Sequence, residues 1–275
     1  MPQLKYPAID WNQLRREAFP SSGSRRRDPS SWDQRARSFA KRNSGSLYAR
    51  KFIALLRPQP HWTILDVGSG PGTLALPLAR LVSSITCLDF SAEMLAIVRE
   101  RCQEEGLDNI RTCRISWSED WSKEQLPRHR VALASRSLGV ADLKGAISRL
   151  SAHASDRVVV TDTVRHGPAD PAAFQAIGRP LQSKPDYIYT LNLLYQLGYL
   201  ARVEFIRLDE PLCYGSLAEA LAGYAWMFPQ LDHREEGLLK KYLRSIASRD
   251  QDGTITLHRA QVPTWAFISW NPHER

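Results

Sequence analysis

Asp66, Gly68, Gly70 and Gly72 stand at alternate positions, the acid inside a largely apolar run, Thr63 to Val67, and the glycines directly after it. The run reads as a buried parallel strand, and Leu74 to Val82 beyond it as an amphipathic helix. Glycines between strand and helix let the backbone turn sharply and let a ligand lie directly against it. Such an entrance suits a nucleotide. A dinucleotide fingerprint wants its third glycine five residues after the first, but Thr73 stands there and the third glycine comes one residue early. A second carboxylate, Asp89, follows the apolar run Ile85 to Leu88, 23 residues after Asp66. It offers two acceptors, matched to two vicinal hydroxyls. The competing reading of Asp89 is a charge at a helix N-terminus, because Ser91 can cap the run Ala92 to Glu104.

The full pattern Asp-x-Gly-x-Gly-x-Gly after a strand resembles motif I of the class I S-adenosylmethionine-dependent methyltransferases. The resemblance implies S-adenosyl-L-methionine as cofactor and S-adenosyl-L-homocysteine as product. It places Gly68, Ser69, Gly70 and Gly72 along the methionine and ribose portion, with Asp66 near the ammonium. Asp89 is expected at the ribose hydroxyls, and Phe90 and Met94 beside the adenine. Many family members carry an acid and a small residue after the third strand, whereas this chain has Ser116-Trp117 there. The adenine contact is therefore expected from a hydroxyl, a backbone amide or the Trp117 indole. Ser135-Arg136-Ser137 follows the fourth strand, Val131 to Ala134, where open parallel sheets bind ligands. The Asn-Pro-Pro-Tyr and Asp-Pro-Pro-Tyr motifs of some amino-group methylases are not matched there.

These positions need a scaffold, and the chain supplies one. Its 275 residues, 43% hydrophobic, suffice for one α/β domain with additions. The expected fold is a doubly wound, Rossmann-like, seven-stranded sheet with the last strand antiparallel, an N-terminal helical cap and helical insertions on the substrate side. Helices are expected over Ile9 to Ala18, Trp32 to Arg42 and Leu47 to Leu56, the second resembling, through Trp32-Asp33-x-Arg35-Ala36, the cap helix of small-molecule methyltransferases. Residues 1–60 form the basic N-terminal segment and cap, and residues 61–275 the methyltransferase domain. Within it residues 61–162 are the cofactor half, and 163–200 and 209–253 the substrate-side insertions. Thr254 to Arg259 and Thr264 to Trp270 read as closing strands.

Charge and cysteines bound the alternatives. Residues 1–60 carry 13 Lys or Arg against 4 Asp or Glu, while the whole chain is only +8, so the basic character belongs to this segment. Arg25-Arg26-Arg27 has no interleaved aromatics on which bases could stack, which argues for a solvated run. Cys87, Cys102, Cys113 and Cys213 show no paired spacing, so neither a metal site nor a disulfide framework is expected, and a cytoplasmic setting fits. No window approaches the roughly 18 apolar residues of a membrane span, and no membrane partner is expected.

The acceptor is expected to be a small organic molecule. Asp186 to Gly198 forms a tyrosine-rich helix expected to roof the methyl-transfer site, with Ile188 or Tyr187, Leu191, Leu194 and Tyr195 on one face. Arg136, Tyr187 and Tyr195 are the candidates for acceptor handling. Two other readings stay open: an RNA or protein methylase that uses the basic segment, and a non-catalytic protein that binds the same cofactor.

Overall fold

The computed structural model describes residues 9–18, 29–43, 45–124 and 126–274. The Arg25-Arg26-Arg27 run lies outside them. The described chain falls into two units, one of residues 1–163, 185–206 and 265–275, the other of residues 164–184 and 207–264.

The first unit holds a seven-stranded sheet built from β1 (Thr63–Val67), β2 (Ser84–Asp89), β3 (Ile110–Arg114), β4 (His129–Ser135), β5 (Ala154–Thr163), β6 (Arg202–Arg207) and β10 (Thr264–Trp270). Their order is β3-β2-β1-β4-β5-β10-β6. β1 runs parallel to β2 and to β4, and β4 parallel to β5. β10 enters antiparallel beside β5, pairing Phe267 with Thr161 and Trp270 with Val158. The middles of the central strands are apolar because both faces are covered: Ile64, Leu65, Ala132, Leu133, Val158 and Val159 are fully buried.

Helices cover these faces for local reasons. α4 (Leu47–Leu56) buries Tyr48, Phe52 and Leu56 at four-residue spacing, one stripe of a helix. α6 (Ala92–Glu105) starts where the Ser91 hydroxyl accepts from the Met94 amide and stops at Gly106, whose φ is 64°. α5 (Ala75–Ala79) is shorter than the helix read from sequence. α7 (Leu143–His153) begins at Asp142, which accepts from the Gly145 amide. α9 (Tyr187–Gln196) begins at Asp186, which accepts from Ile188.

The N-terminal helices are α1 (Trp11–Ala18), α2 (Pro29–Asp33) and α3 (Ala36–Asn43). A continuous helix over Trp32 to Arg42 is therefore corrected: the chain turns at Gln34 and Arg35 and restarts. The turn lets two short pieces follow α6. Trp32, Ala36 and Phe39 pack with Met94 and Ile97, and the Asp33 carboxylate accepts from the Ser91 hydroxyl at 2.5 Å. α1 docks by polar contacts. Arg15, its one buried residue, donates to the carbonyls of Leu138 and Val140 at 2.5 and 2.8 Å.

The second unit contains α8 (Pro171–Ile177), α10 (Leu217–Tyr224), α11 (His233–Ser245) and a three-stranded antiparallel sheet of β7 (Leu212–Tyr214), β9 (Ile255–Leu257) and β8 (Ala247–Arg249). Its core joins Ala173, Tyr224, Phe228, Leu239, Leu243 and Leu257. Asp170, 1% exposed, caps α8 and accepts from the hydroxyls of Tyr224 and Tyr242, with Arg259 at 3.3 Å. The expected strand over Thr254 to Arg259 thus belongs to this small sheet, not to the seven-stranded one, and the insertions are not purely helical.

Candidate active site

The three motif glycines all adopt left-handed backbone, φ 69° at Gly68, 56° at Gly70 and 78° at Gly72. The amides of Gly68 and Ser69 both donate to the Leu88 carbonyl, at 2.7 and 3.0 Å, which ties the turn to β2. At Gly68 a side chain is excluded by space as well as by φ: an added Cβ would stand 2.5 Å from the Ser137 Cβ. At Gly70 an added Cβ would meet nothing within 4 Å. The turn is therefore closed at Gly68 and open at Gly70.

Two carboxylates face this turn. Asp89 accepts from the Gly70 amide through Oδ2 at 2.8 Å and from the Ser91 amide through Oδ1 at 2.9 Å. It is thus both a brace for the glycine turn and a helix-start charge, and each oxygen keeps a further lone pair for a ligand. Burial raises its pKa, and the two amides oppose that rise. Asp66 is 2% exposed, and burial followed by repulsion from Asp89 pushes its carboxyl up to about 7. Ser69 Oγ, also buried, has no hydrogen-bond partner among the described residues and lies beside the Cys87 thiol, a weak partner at best.

The donor set fits S-adenosyl-L-methionine. An open cradle at Gly70, an acceptor pair at Asp89 suited to vicinal hydroxyls, and a buried acid at Asp66 suited to an ammonium are what that molecule needs. Phe90 is half-buried beyond Asp89. Met94 is buried against Ala36 and Ile97, so its side chain serves the contact between α3 and α6. The Trp117 ring lies 5.5 Å from the Trp121 ring at 32°, and its carbonyl accepts from Arg149. Trp121 in turn donates to the Ser116 carbonyl at 2.9 Å. Among the described residues no cluster of His, Cys, Asp or Glu could hold a metal ion.

The ends of β4 and β5 carry a second polar constellation. The Tyr48 hydroxyl lies 2.6 Å from Ser135 Oγ and 2.7 Å from Thr161 Oγ1. Thr161 Oγ1 also accepts from the Arg136 amide at 3.0 Å. Arg136 has a left-handed backbone, φ 56°, and its guanidinium sits 4.2 Å above the Tyr48 ring. Arg136 is exposed, yet the protein packed against its guanidinium lowers its pKa. Ser137 turns the other way and donates to the Val67 carbonyl at 2.7 Å, which joins this segment to the glycine turn. On the opposite face of β5, Asp162 accepts from Thr190 of α9 at 2.8 Å, and burial raises its pKa while Arg15 opposes the rise.

The tyrosine helix needs correction. Its packed residues are Thr190, Leu193 and Leu194, not a face of Leu191, Leu194 and Tyr195. Tyr195 is 74% exposed, so it lines no enclosed pocket. Tyr187 meets Phe205 of β6 edge to face at 5.7 Å, and Tyr189 meets Trp11 of α1 at 5.9 Å. Sequence reasoning missed Tyr48, Thr161, Thr190 and Arg15. Tyr48 is spaced as a core residue of α4, and nothing short-range marks the other three.

Comparison with known proteins follows this geometry. A family model described as a methyltransferase domain matches residues 64–150. An uncharacterised protein of Haemophilus influenzae is 35% identical over 246 residues, covering 88% of this chain and 89% of that one. A much shorter stretch, 57 residues at 39% identity, is similar to a 23S rRNA (uracil(1939)-C(5))-methyltransferase of Xanthomonas euvesicatoria, of which it spans 13%. Among solved structures, a Bacillus halodurans protein assigned as a methyltransferase superposes with a TM-score of 0.55 at 9% identity, over 82% of this chain and 98% of that one, a likeness of fold.

Proposed function

Since the chain belongs to the class I S-adenosylmethionine-dependent methyltransferases, we propose that its methyl acceptor is a small organic molecule held beyond the carboxyl ends of β4 and β5. The observation that carries this reading is Arg136: an exposed arginine beside the glycine turn, its backbone held at positive φ and braced by Thr161. Non-glycine residues held at positive φ concentrate where geometry serves binding. The cofactor, when bound, supplies an electrophilic methyl on a sulfonium.

The protein's own part is alignment. Asp89 and the Gly70 amide fix one side of the cradle, and Asp66 sets its charge. Ser135 and Arg136, braced by the buried Tyr48, form a polar wall for the acceptor. Holding two reactants in line can lower a barrier by about 7–11 kcal/mol. Asp162 is a half-buried carboxylate near the end of β5, held by Thr190 and the Thr163 amide, so its position is fixed.

An RNA acceptor is the second reading, favoured by the basic N-terminal segment and by the short rRNA-methyltransferase match. One experiment separates them. The full-length protein is incubated with methyl-tritiated S-adenosyl-L-methionine and, in parallel, with total RNA, denatured protein and a deproteinised, nuclease-treated metabolite extract. Label in the metabolite fraction is the expected result. Label confined to RNA or protein overturns the small-molecule reading, and cofactor binding without transfer to any fraction overturns catalysis.

A further inference from the structure

Arg136 lies at a particular point of the sheet. From β1 the chain winds outward to β2 and β3, and from β4 it winds the other way to β5, so a crevice opens beyond the ends of β1 and β4. Gly68 and Ser137 close its base. Arg136 is the residue between Ser135 and Ser137, and its left-handed backbone has a cost of about 1–3 kcal/mol that the surroundings must hold in place.

Tyr48 is what holds it. Its hydroxyl joins Ser135 and Thr161 across two strands, and Thr161 receives the Arg136 amide. Its ring lies under the guanidinium at 4.2 Å, a cation–π distance. A guanidinium is planar and carries five N–H donors, so it can meet an oxyanion with two parallel hydrogen bonds while its other contacts hold it in place. We propose that Arg136, positioned by Tyr48, is the oxyanion clamp of the acceptor site, so that the methyl acceptor carries a carboxylate or phosphate group. This rests on the small-molecule reading and narrows it. Arg136 is exposed, so an anion can reach it from solvent. Tyr48 stays neutral there, because burial raises its own pKa.

The test uses the full chain, tritiated cofactor and the metabolite extract, and reads the charge of the labelled product on anion-exchange resin at pH 8. Retained label, split by phosphatase treatment into carboxylate and phosphate classes, is expected. Arg136→Met should lower transfer by about 10- to 100-fold while S-adenosyl-L-homocysteine affinity stays within about threefold. Tyr48→Phe keeps the ring and should raise the acceptor KM more than it lowers kcat, whereas Tyr48→Leu loses both. Label in an unretained, uncharged small molecule overturns the clamp and leaves the small-molecule reading standing. Label in RNA or protein removes that reading itself. A loss of cofactor affinity in Arg136→Met as large as its loss of transfer assigns the guanidinium to the cofactor and also overturns the clamp. The product-charge readout needs no variant, so it decides even where a variant fails to fold.

Discussion

Gly68 and Ser137 approach so closely that a Cβ on the glycine would stand 2.5 Å from the Ser137 Cβ. The first glycine of the turn is therefore required by β4's continuation as well as by its own φ of 69°. Gly70, at φ 56°, faces open space instead. The two positions share a backbone conformation and differ in surroundings, so they separate fold from ligand.

Gly68→Ala combines backbone strain with a backbone-proximal clash, and it is expected to destabilise the protein by about 2–4 kcal/mol. Gly70→Ala is expected to cost only the strain, about 1 kcal/mol, and to weaken S-adenosyl-L-methionine binding by filling the cradle. Urea unfolding and calorimetry on both variants check this. Equal destabilisation by the two would show that the contact with Ser137 is not what excludes a side chain at Gly68.

If Asp66 faces the cofactor as proposed, it links binding to pH. Its carboxyl titrates at about 7 in the folded chain and near its ordinary 3.8 when unfolded. Between those values the folded state holds the extra proton. Stability contributed by the neutral carboxyl is therefore present at low pH and is lost as pH rises through about 7. A bound ammonium favours the ionised form, so S-adenosyl-L-methionine affinity should rise from pH 5.5 to 7.5, with proton release visible as a buffer-dependent heat. Asp66→Asn should flatten both profiles. A pH-independent affinity in the wild-type chain would remove the ammonium contact.

Asp89 braces the glycine turn and is proposed to hold the cofactor, and substitutions should divide the two roles. Asp89→Ala leaves the Gly70 and Ser91 amides without their acceptor and is expected to weaken cofactor binding by about 1.5–3 kcal/mol, with a stability loss of about 1–3 kcal/mol. Asp89→Asn keeps one acceptor oxygen and should fall between. Calorimetry combined with thermal unfolding reads the two effects apart. Unchanged cofactor affinity in Asp89→Ala would limit this residue to bracing the turn.

Asp170 organises the second unit. Its carboxylate accepts from two tyrosine hydroxyls and faces Arg259 in the interior. Asp170→Ala strands a buried cation, and a loss of about 3–5 kcal/mol is expected. Hydrogen exchange should show it first in α8, α10 and α11. A loss below about 1 kcal/mol would mean that water replaces the carboxylate without difficulty.

What sequence discloses here is local. The strand Thr63–Val67, the glycine turn, the Ser91 cap and the final strand Thr264–Trp270 are each written in a few adjacent residues, so periodicity and turn chemistry reveal them. The turn at Gln34 and Arg35 carries no glycine or proline, and only packing on α6 explains it. β7, β8 and β9 have three residues each, too few for alternation to register. The constellation proposed for the acceptor is half legible. Arg136 follows from its place at a strand end, but Tyr48 meets Ser135 and Thr161 across 87 and 113 residues of chain. Its spacing with Phe52 and Leu56 matches a core residue. The tyrosine helix misled because composition suggested a pocket, whereas Thr190, the small polar residue among the tyrosines, is the one that reaches β5.

The antiparallel placement of β10 bears on how the chain is made. β5 ends at Thr163, yet the strand that covers its outer edge begins at Trp265, after all of the second unit has been synthesised. Until those last residues leave the ribosome, the valines of β5 present an uncovered edge, and β6 lacks the neighbour that would join it to the sheet. An uncovered, apolar edge is a template for wrong pairing. A nascent chain stalled short of Thr264 should therefore be prone to aggregation and to chaperone capture, because without β10 only five strands of the sheet are joined.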